Sequence, residues 1–337
     1  MNIKVKVDKS KAGPLRDQGD KALDKVWATE KWVKLPMNFD KDVIDNLDKI
    51  GLLIGGRCSL VVVAGERKMV NTVRNVISAL PESAGFPRCL FVDDTLSPKA
   101  LEKVLMEVRQ NNIVLIGVTD GKETKTQVAN FKILEDFVKE KYTEDKIKSH
   151  IYFICGSEKS PFRQMAEEGG YSVMTNTDIF SGEEGILTPA VLLIMAIVGY
   201  SIDDFIKGCE DMVSDPAWDS DGKDYAINMY LRGQEITGVY DYELLHLAGI
   251  NGKRAVLLPG EMDEVNTLIQ VEENDIDILL PSSPFYEEES LREMMNKEKE
   301  ENMEKFEAVI SLDRLDAYNI GQLSYFLLLS QAIKENM

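Results

Sequence analysis

The sequence predicts an α/β fold of doubly wound parallel sheets in two subdomains, the second reduced, and three observations carry that reading. Apolar runs of strand length alternate with helical patterns through most of the chain, which closes into parallel sheet with right-handed crossovers. The 337 residues exceed one ordinary domain and supply core for two. The stretch Ile113–Tyr142, IVLIGVTDGKETKTQVANFKILEDFVKEKY, shows the repeating unit: a strand over Ile113–Val118, a polar loop over Thr119–Thr126, then a helix. A loop so placed lies at the carboxyl end of a parallel strand, where such folds bind ligands.

Residues 1–40 are charged and weakly periodic, and read as an N-terminal arm or helix. The first subdomain is expected over 41–203. Its strands are Leu60–Ala64, Cys89–Val92, Ile113–Val118, His150–Cys155 and Ser172–Thr175. Helical patterns cover Val70–Leu80, Pro98–Gln110, Gln127–Tyr142, Pro161–Glu168 and Thr188–Val198. The apolar stretch Ile186–Ile202 is short for a membrane span and reads as a buried helix with Pro189 in its first turn. The second subdomain, 204–337, begins with a helix and a polar linker inside Ser201–Gly222. Strands are expected at Glu235–Tyr240, Arg254–Leu258, Ile276–Leu280 and Val309–Leu312, and helices at Glu261–Gln270 and Glu287–Phe306, after which the chain closes on Asn319–Lys334. The Glu/Lys-dense run Lys297–Lys305 reads as a solvated helix face with intrahelical ion pairs.

Composition narrows the function classes. An apolar fraction of 44% with 29% charged residues is that of a soluble globular chain. A net charge of −19 repels phosphate backbones and anionic lipid surfaces, so neither nucleic acid nor membrane is an expected partner. Cys58, Cys89, Cys155 and Cys209 form no Cys-x-x-Cys pair, and His150 and His246 are the only histidines. No metal, cofactor or disulfide framework is expected, and the thiols suit a reducing cytoplasm. The N-terminus lacks the apolar core of a signal peptide.

Several segments, in order, resemble glucose-6-phosphate isomerase, a family of two sugar-isomerase (SIS) subdomains. Trp32–Asp40 resembles the family's leading Gly-Trp-x-x-Leu-Pro-x-Asn-Tyr-Asp segment. Ile113–Tyr142, with Phe131–Leu134 and Glu140-Lys141-Tyr142, is similar to the family's sugar-phosphate loop and the helix after it. Ile151–Tyr171 resembles the next strand and helix, Leu187-Thr188-Pro189 the start of a family helix, and Leu315–Tyr318 with Gly321–Leu323 a segment near the family's C-terminus. The resemblance implies two flavodoxin-like SIS subdomains, a sugar-phosphate ligand and a homodimer. It also implies aldose–ketose isomerisation between glucose 6-phosphate and fructose 6-phosphate, in glycolysis and gluconeogenesis.

Carrying the functional residues across gives a different picture. The family's first phosphate loop, Gly-Ile-Gly-Gly-Ser, falls on Gly65-Glu66-Arg67-Lys68-Met69, where Arg67 and Lys68 could supply charge in place of backbone approach. The second, Ser-Gly-Thr-Thr-Thr-Glu, falls on Asp120–Thr126. The substrate-binding candidates there are Thr119, Gly121, Lys122 and Thr124. That loop reads either as a re-tuned anion site or as a solvated loop on an inherited fold. Glu183 stands where the family turn supplies an arginine, a reversal of charge. Glu261 is nominally placed for the proton-transferring glutamate, and equally reads as an acidic residue in a helix's first turn. The family's ring-opening histidine falls on Asn266, and Gln270 matches the glutamine closing that segment. An asparagine amide is no general acid or base near neutral pH. The sequence ends at Met337, soon after the Leu-Asp-Ala-Tyr segment, without the family's later segments and terminal catalytic lysine. The expectation is a family relative without isomerase activity that binds a sugar phosphate or a protein partner. The alternative is an active isomerase using Glu261, Arg67 and lysines in replaced roles. A third possibility, ranked lowest, is an enzyme for a substrate whose charge suits Glu183, such as an amino sugar.

Overall fold

A computed structural model describes residues 3–92, 94–156, 159–175, 183–215, 220–257, 265–272 and 277–337, with backbone alone at 183 and 184. The chain divides into two compact units, Lys34–Ile206 and a second formed by Met1–Val33 with Lys207–Met337. The first 33 residues are therefore no free arm. They supply β1 (Ile3–Val7) and α1 (Arg16–Thr29), and β1 pairs antiparallel with a strand near the C-terminus.

The unit Lys34–Ile206 runs α2 (Lys41–Gly55), β2 (Leu60–Gly65), α3 (Arg67–Ile77), β3 (Arg88–Val92), α4 (Pro98–Gln110), β4 (Ile113–Thr119), α5 (Lys125–Lys141), α6 (Glu144–Ile147), β5 (Ile151–Cys155), α7 (Pro161–Gly169), β6 (Ser172–Thr175) and α8 (Pro189–Ile197). Its five strands are all parallel, in the order β3-β2-β4-β5-β6. Successive residues of β2 and β4 point to opposite faces. Val61, Val62, Val63, Val114, Leu115 and Ile116 are all solvent-free, so both faces are covered, as a parallel sheet requires. Under one face Phe131 of α5, Phe153 of β5 and Phe162 of α7 interlock, with ring centroids 4.7–5.7 Å apart. α8 is apolar and buried along its length, with Pro189 in its first turn. It lies so close to α2 that a Cβ on Gly51 would stand 2.4 Å from that of Ala196.

α9 (Ile202–Val213) leads into the second unit, which continues with α10 (Asp221–Arg232), β7 (Ile236–Val239), α11 (Leu245–Ala248), β8 (Lys253–Val256), β9 (Thr267–Val271), α12 (Leu291–Asn302), β10 (Ala308–Leu312) and α13 (Ala317–Asn336). Its sheet has the order β1-β10-β9-β7-β8. The four parallel strands repeat the winding of the first sheet. The fifth position is filled by antiparallel β1 rather than by another parallel strand.

Several sequence expectations need correction here. The helix read over Glu261–Gln270 is wrong from Thr267 onward: Thr267–Val271 is β9, between β7 and β10. Five residues with Thr, Ile and Val fit a doubly buried strand, and such a short apolar run cannot be told from a helix by periodicity. Glu261 itself lies outside the described residues. No strand forms over 277–280, where Leu279 makes only an isolated bridge to Ser290, and Ile278 and Leu279 stay exposed. The helix read from Glu287 starts at Leu291, after the Ser290 side chain caps it by accepting from the Glu293 N–H. Its charged run is not wholly solvated. Lys299 is buried, its Nζ 5.2 Å from the centre of the Tyr240 ring, and Lys297 pairs with Glu288 ahead of the helix. Among the described residues no helix is long and apolar enough to cross a membrane.

Many of the segments that carry the resemblance turn out to be scaffold. The Tyr142 hydroxyl accepts from the Ile113 N–H at 2.8 Å, and Tyr171 donates to buried Glu135 at 2.8 Å. In the second unit Tyr325 donates to the Trp32 carbonyl and Tyr318 to Asp211.

Candidate functional site

The chain winds from β2 outward to β3 in one direction, and from β4 to β5 and β6 in the other. The reversal leaves a crevice beyond the carboxyl ends of β2 and β4, the place where open α/β sheets bind ligands. A cleft of about 470 Å³ lies there. Glu66, Arg67, Lys68 and Asn71, at and after the start of α3, form one wall. Lys122, Thr124 and Gln127, around the start of α5, form another, and Asp94 follows β3.

Gly65 makes the first wall. Its φ of +145° is a conformation L side chains rarely adopt, and a Cβ there would stand 2.1 Å from the Val118 carbonyl oxygen. The chain thus turns from β2 into α3 in contact with β4, and the Glu66 N–H donates to that same carbonyl at 2.9 Å. Glu66 then occupies the N-cap position of α3 without capping it. Its carboxyl crosses to the other loop, where Oε2 accepts from the Asp120 N–H at 3.0 Å and from the Thr119 hydroxyl at 3.4 Å. Thr119 Oγ1 in turn accepts from the Gly121 N–H at 2.8 Å.

The remaining polar groups tie the walls together. Arg67 is held by Asp94, with Nε 2.8 Å from Oδ1. Gln127 Nε2 reaches the other Asp94 oxygen at 3.5 Å. Thr124 and Gln127 form a capping box at the start of α5, so the Thr124 hydroxyl serves its own helix. Lys122 Nζ lies 3.3 Å from Asp120 Oδ2.

The carboxyls of Glu66 and Asp120 titrate as a pair. Burial, then the neighbouring Asp120 carboxylate, push Glu66 up to about 7. Asp120 is held below its ordinary range by hydrogen bonding to Glu66, against its own burial and with help from Lys122 and Lys68. The two share one proton near neutrality. Glu66 thus binds its proton more tightly folded than unfolded, and its contribution to stability is present at low pH and falls as pH rises from about 4.5 through about 7. Glu66→Gln removes that decline. Relative to wild type, the variant should gain about 2–3 kcal/mol between pH 5 and pH 8, read from urea unfolding at the two pH values.

Of the residues singled out from the sequence, Arg67, Lys68, Lys122 and Thr124 line this cleft. Thr119 is fully buried and Gly121 is bonded to it, so both reach the cleft through Glu66. Gln270 sits on β9 of the other unit, its amide donating to Ser311 at 2.9 Å. Met69, at the family's serine position, is buried core. Asn266, at the histidine position, accepts from the Ile236 N–H at 3.1 Å and so pins β7. His150 stacks on Tyr142 at 4.0 Å, and His246 lies 3.0 Å from Arg254. Sequence reasoning missed Glu66 and Asp94 as site residues. The available signal for Glu66 was an acidic residue directly after a strand, where the resembling loop is glycine-rich.

No protein-family profile matches the chain. Glucose-6-phosphate isomerase of Caldanaerobacter subterraneus subsp. tengcongensis is 27% identical over 229 residues, 63% of this chain and 51% of that protein. The chain spans about half the length of the curated relatives it matches. Among solved structures, a hypothetical protein from Thermus thermophilus superposes with a TM-score of 0.80 at 16% identity, over 99% of this chain and 94% of that one. A glucose-6-phosphate isomerase from Chlamydia trachomatis gives 0.74 at 12% identity, over 99% and 84%. At such identities these structures establish the fold, and the similarity in sequence comes from the curated proteins. Together with two sheets of matching winding, they give the chain the doubly wound SIS fold and a distant sequence similarity to glucose-6-phosphate isomerases.

Proposed function

We propose that this protein binds a sugar phosphate, or a small anion like it, in the cleft beyond β2 and β4, and does not isomerise it. One observation carries the binding half: Arg67, Lys68 and Lys122 converge on a single cleft where the amino end of α3 opens. Cationic side chains and a helix amino terminus favour an anion there. The inactive half rests on chemistry. Aldose–ketose isomerisation needs a placed base, a stabilised enediolate and a gripped phosphate. Neither histidine lines the cleft, and Asn266 is spent on a backbone bond. Thr119 and the Asp120 and Gly121 N–H groups are already bonded within the protein.

A coupled assay supplied with fructose 6-phosphate tests the second half. The expected result is no glucose 6-phosphate above the enzyme-free blank. Turnover that vanishes in Glu261→Gln would overturn this reading in favour of an active isomerase. For the first half, fructose 6-phosphate or 6-phosphogluconate at millimolar concentration should raise the melting temperature, since a ligand bound only by the native state stabilises it. No shift with either removes the proposed site.

A further inference from the structure

We propose that the Glu66 side chain is the resident occupant of the anion subsite in this cleft, and that an anionic ligand takes its place only as Glu66 gains a proton. This rests on the reading of the cleft as an anion site and specifies how that site is regulated. The donors at the carboxyl end of β4 are those an incoming anion would meet at a switch point. Here the Asp120 N–H and the Thr119 hydroxyl both point at one Glu66 oxygen, at 3.0 and 3.4 Å. Glu66 caps nothing on its own helix, although it stands at the N-cap position, so its bonds all go across the crevice. It lines the cleft and is only 7% exposed, so a ligand reaching those donors must move it.

Charge then decides when the exchange occurs. The groups facing Glu66 are Asp120 and Lys122 from the loop after β4, Arg67 and Lys68 from α3, and Asp94 from the segment after β3. Arg67 is committed to Asp94 and Lys122 to Asp120, so with Glu66 also ionised the three carboxylates already match the three cations, Lys68 included, and no cation is left over for an added anion. An anion added beside an ionised Glu66 is repelled, whereas beside a protonated Glu66 it meets a neutral, weaker acceptor whose donors it can take over. The proton burial already favours at Glu66 sets the crossover near pH 7. Binding is then accompanied by proton uptake from solvent.

Inorganic sulfate is a suitable probe, because it stays dianionic from pH 5.5 to 8.5 and any pH dependence belongs to the protein. Titration calorimetry in two buffers of different ionisation enthalpy counts the protons, and the Asp120 and Gly121 amide resonances locate the binding. Wild type should take up close to one proton per sulfate at pH 8, and its affinity should weaken by up to about tenfold per pH unit above 7. Glu66→Gln should bind with a flat pH profile and about tenfold more tightly than wild type at pH 8. Glu66→Ala should bind at all pH values, because it frees the donors outright. Sulfate binding that moves both amides without proton uptake, or a Glu66→Gln profile parallel to wild type, overturns the role of Glu66 while the anion site stands. No sulfate binding by any of the three proteins overturns the anion site, and this proposal with it.

Discussion

Gly65→Ala should lower stability by about 3–5 kcal/mol, the sum of a backbone strained out of its favoured region and a steric clash in a packed core. The added methyl would stand 2.1 Å from the Val118 carbonyl oxygen and 3.0 Å from the Phe162 ring. The carbonyl cannot retreat cheaply, because it sits within the β2–β4 ladder and accepts the Glu66 N–H. Relief requires the start of α3 to swing away from β4, which also withdraws Glu66 from Asp120. Urea unfolding and the pH profile of sulfate binding should therefore change together. A loss below about 1 kcal/mol with an unchanged pH profile would show that the turn relaxes without moving Glu66.

Phe162→Ala should cost about 3–5 kcal/mol, the range for deleting a buried aromatic ring. Phe162 is solvent-free, 4.7 Å from Phe131 and 5.7 Å from Phe153 between ring centres. Its ring also lies under Gly65. Denaturant unfolding should register the full loss, whereas Phe162→Leu should lose less than half as much, because the cavity is smaller. Below the unfolding transition the variant should still show the Asp120 and Gly121 shifts with sulfate, since Phe162 offers the cleft no polar group. A small loss in Phe162→Ala would mean that Phe131 and Phe153 collapse into the space.

The first unit was legible because its signals are local. Val61, Val62 and Val63, and Ile113 to Ile116, are short apolar runs rich in β-branched residues, which suit a strand covered on both faces. The second unit hid its sheet. β1 reads IKVKV, with Lys4 and Lys6 on the outward side of an edge strand whose partner lies at the far end of the sequence. β9 is five residues behind a polar stretch that looks like the start of a helix. The cleft was half visible for a similar reason. Lys68 at the start of α3, and Lys122 and Thr124 in the loop after β4, stand where a strand–loop–helix reading finds them directly. The bonds of Glu66 to Asp120 and of Arg67 to Asp94 join loops that only the sheet order brings together.

The antiparallel edge strand also orders events during synthesis. β1 precedes every other strand of its sheet in the chain, yet its register pairs Val7 with Ala308 and Ile3 with Leu312. It must wait, unpaired, until β10 has been made. The unit Lys34–Ile206, by contrast, has every strand of its sheet within its own span and can close while translation continues. The nascent protein therefore carries a finished cleft and an open strand at the same time. Any segment fused ahead of Ile3 acts on assembly of the second sheet, where long-range pairing is the slow step, and leaves the first to form on its own.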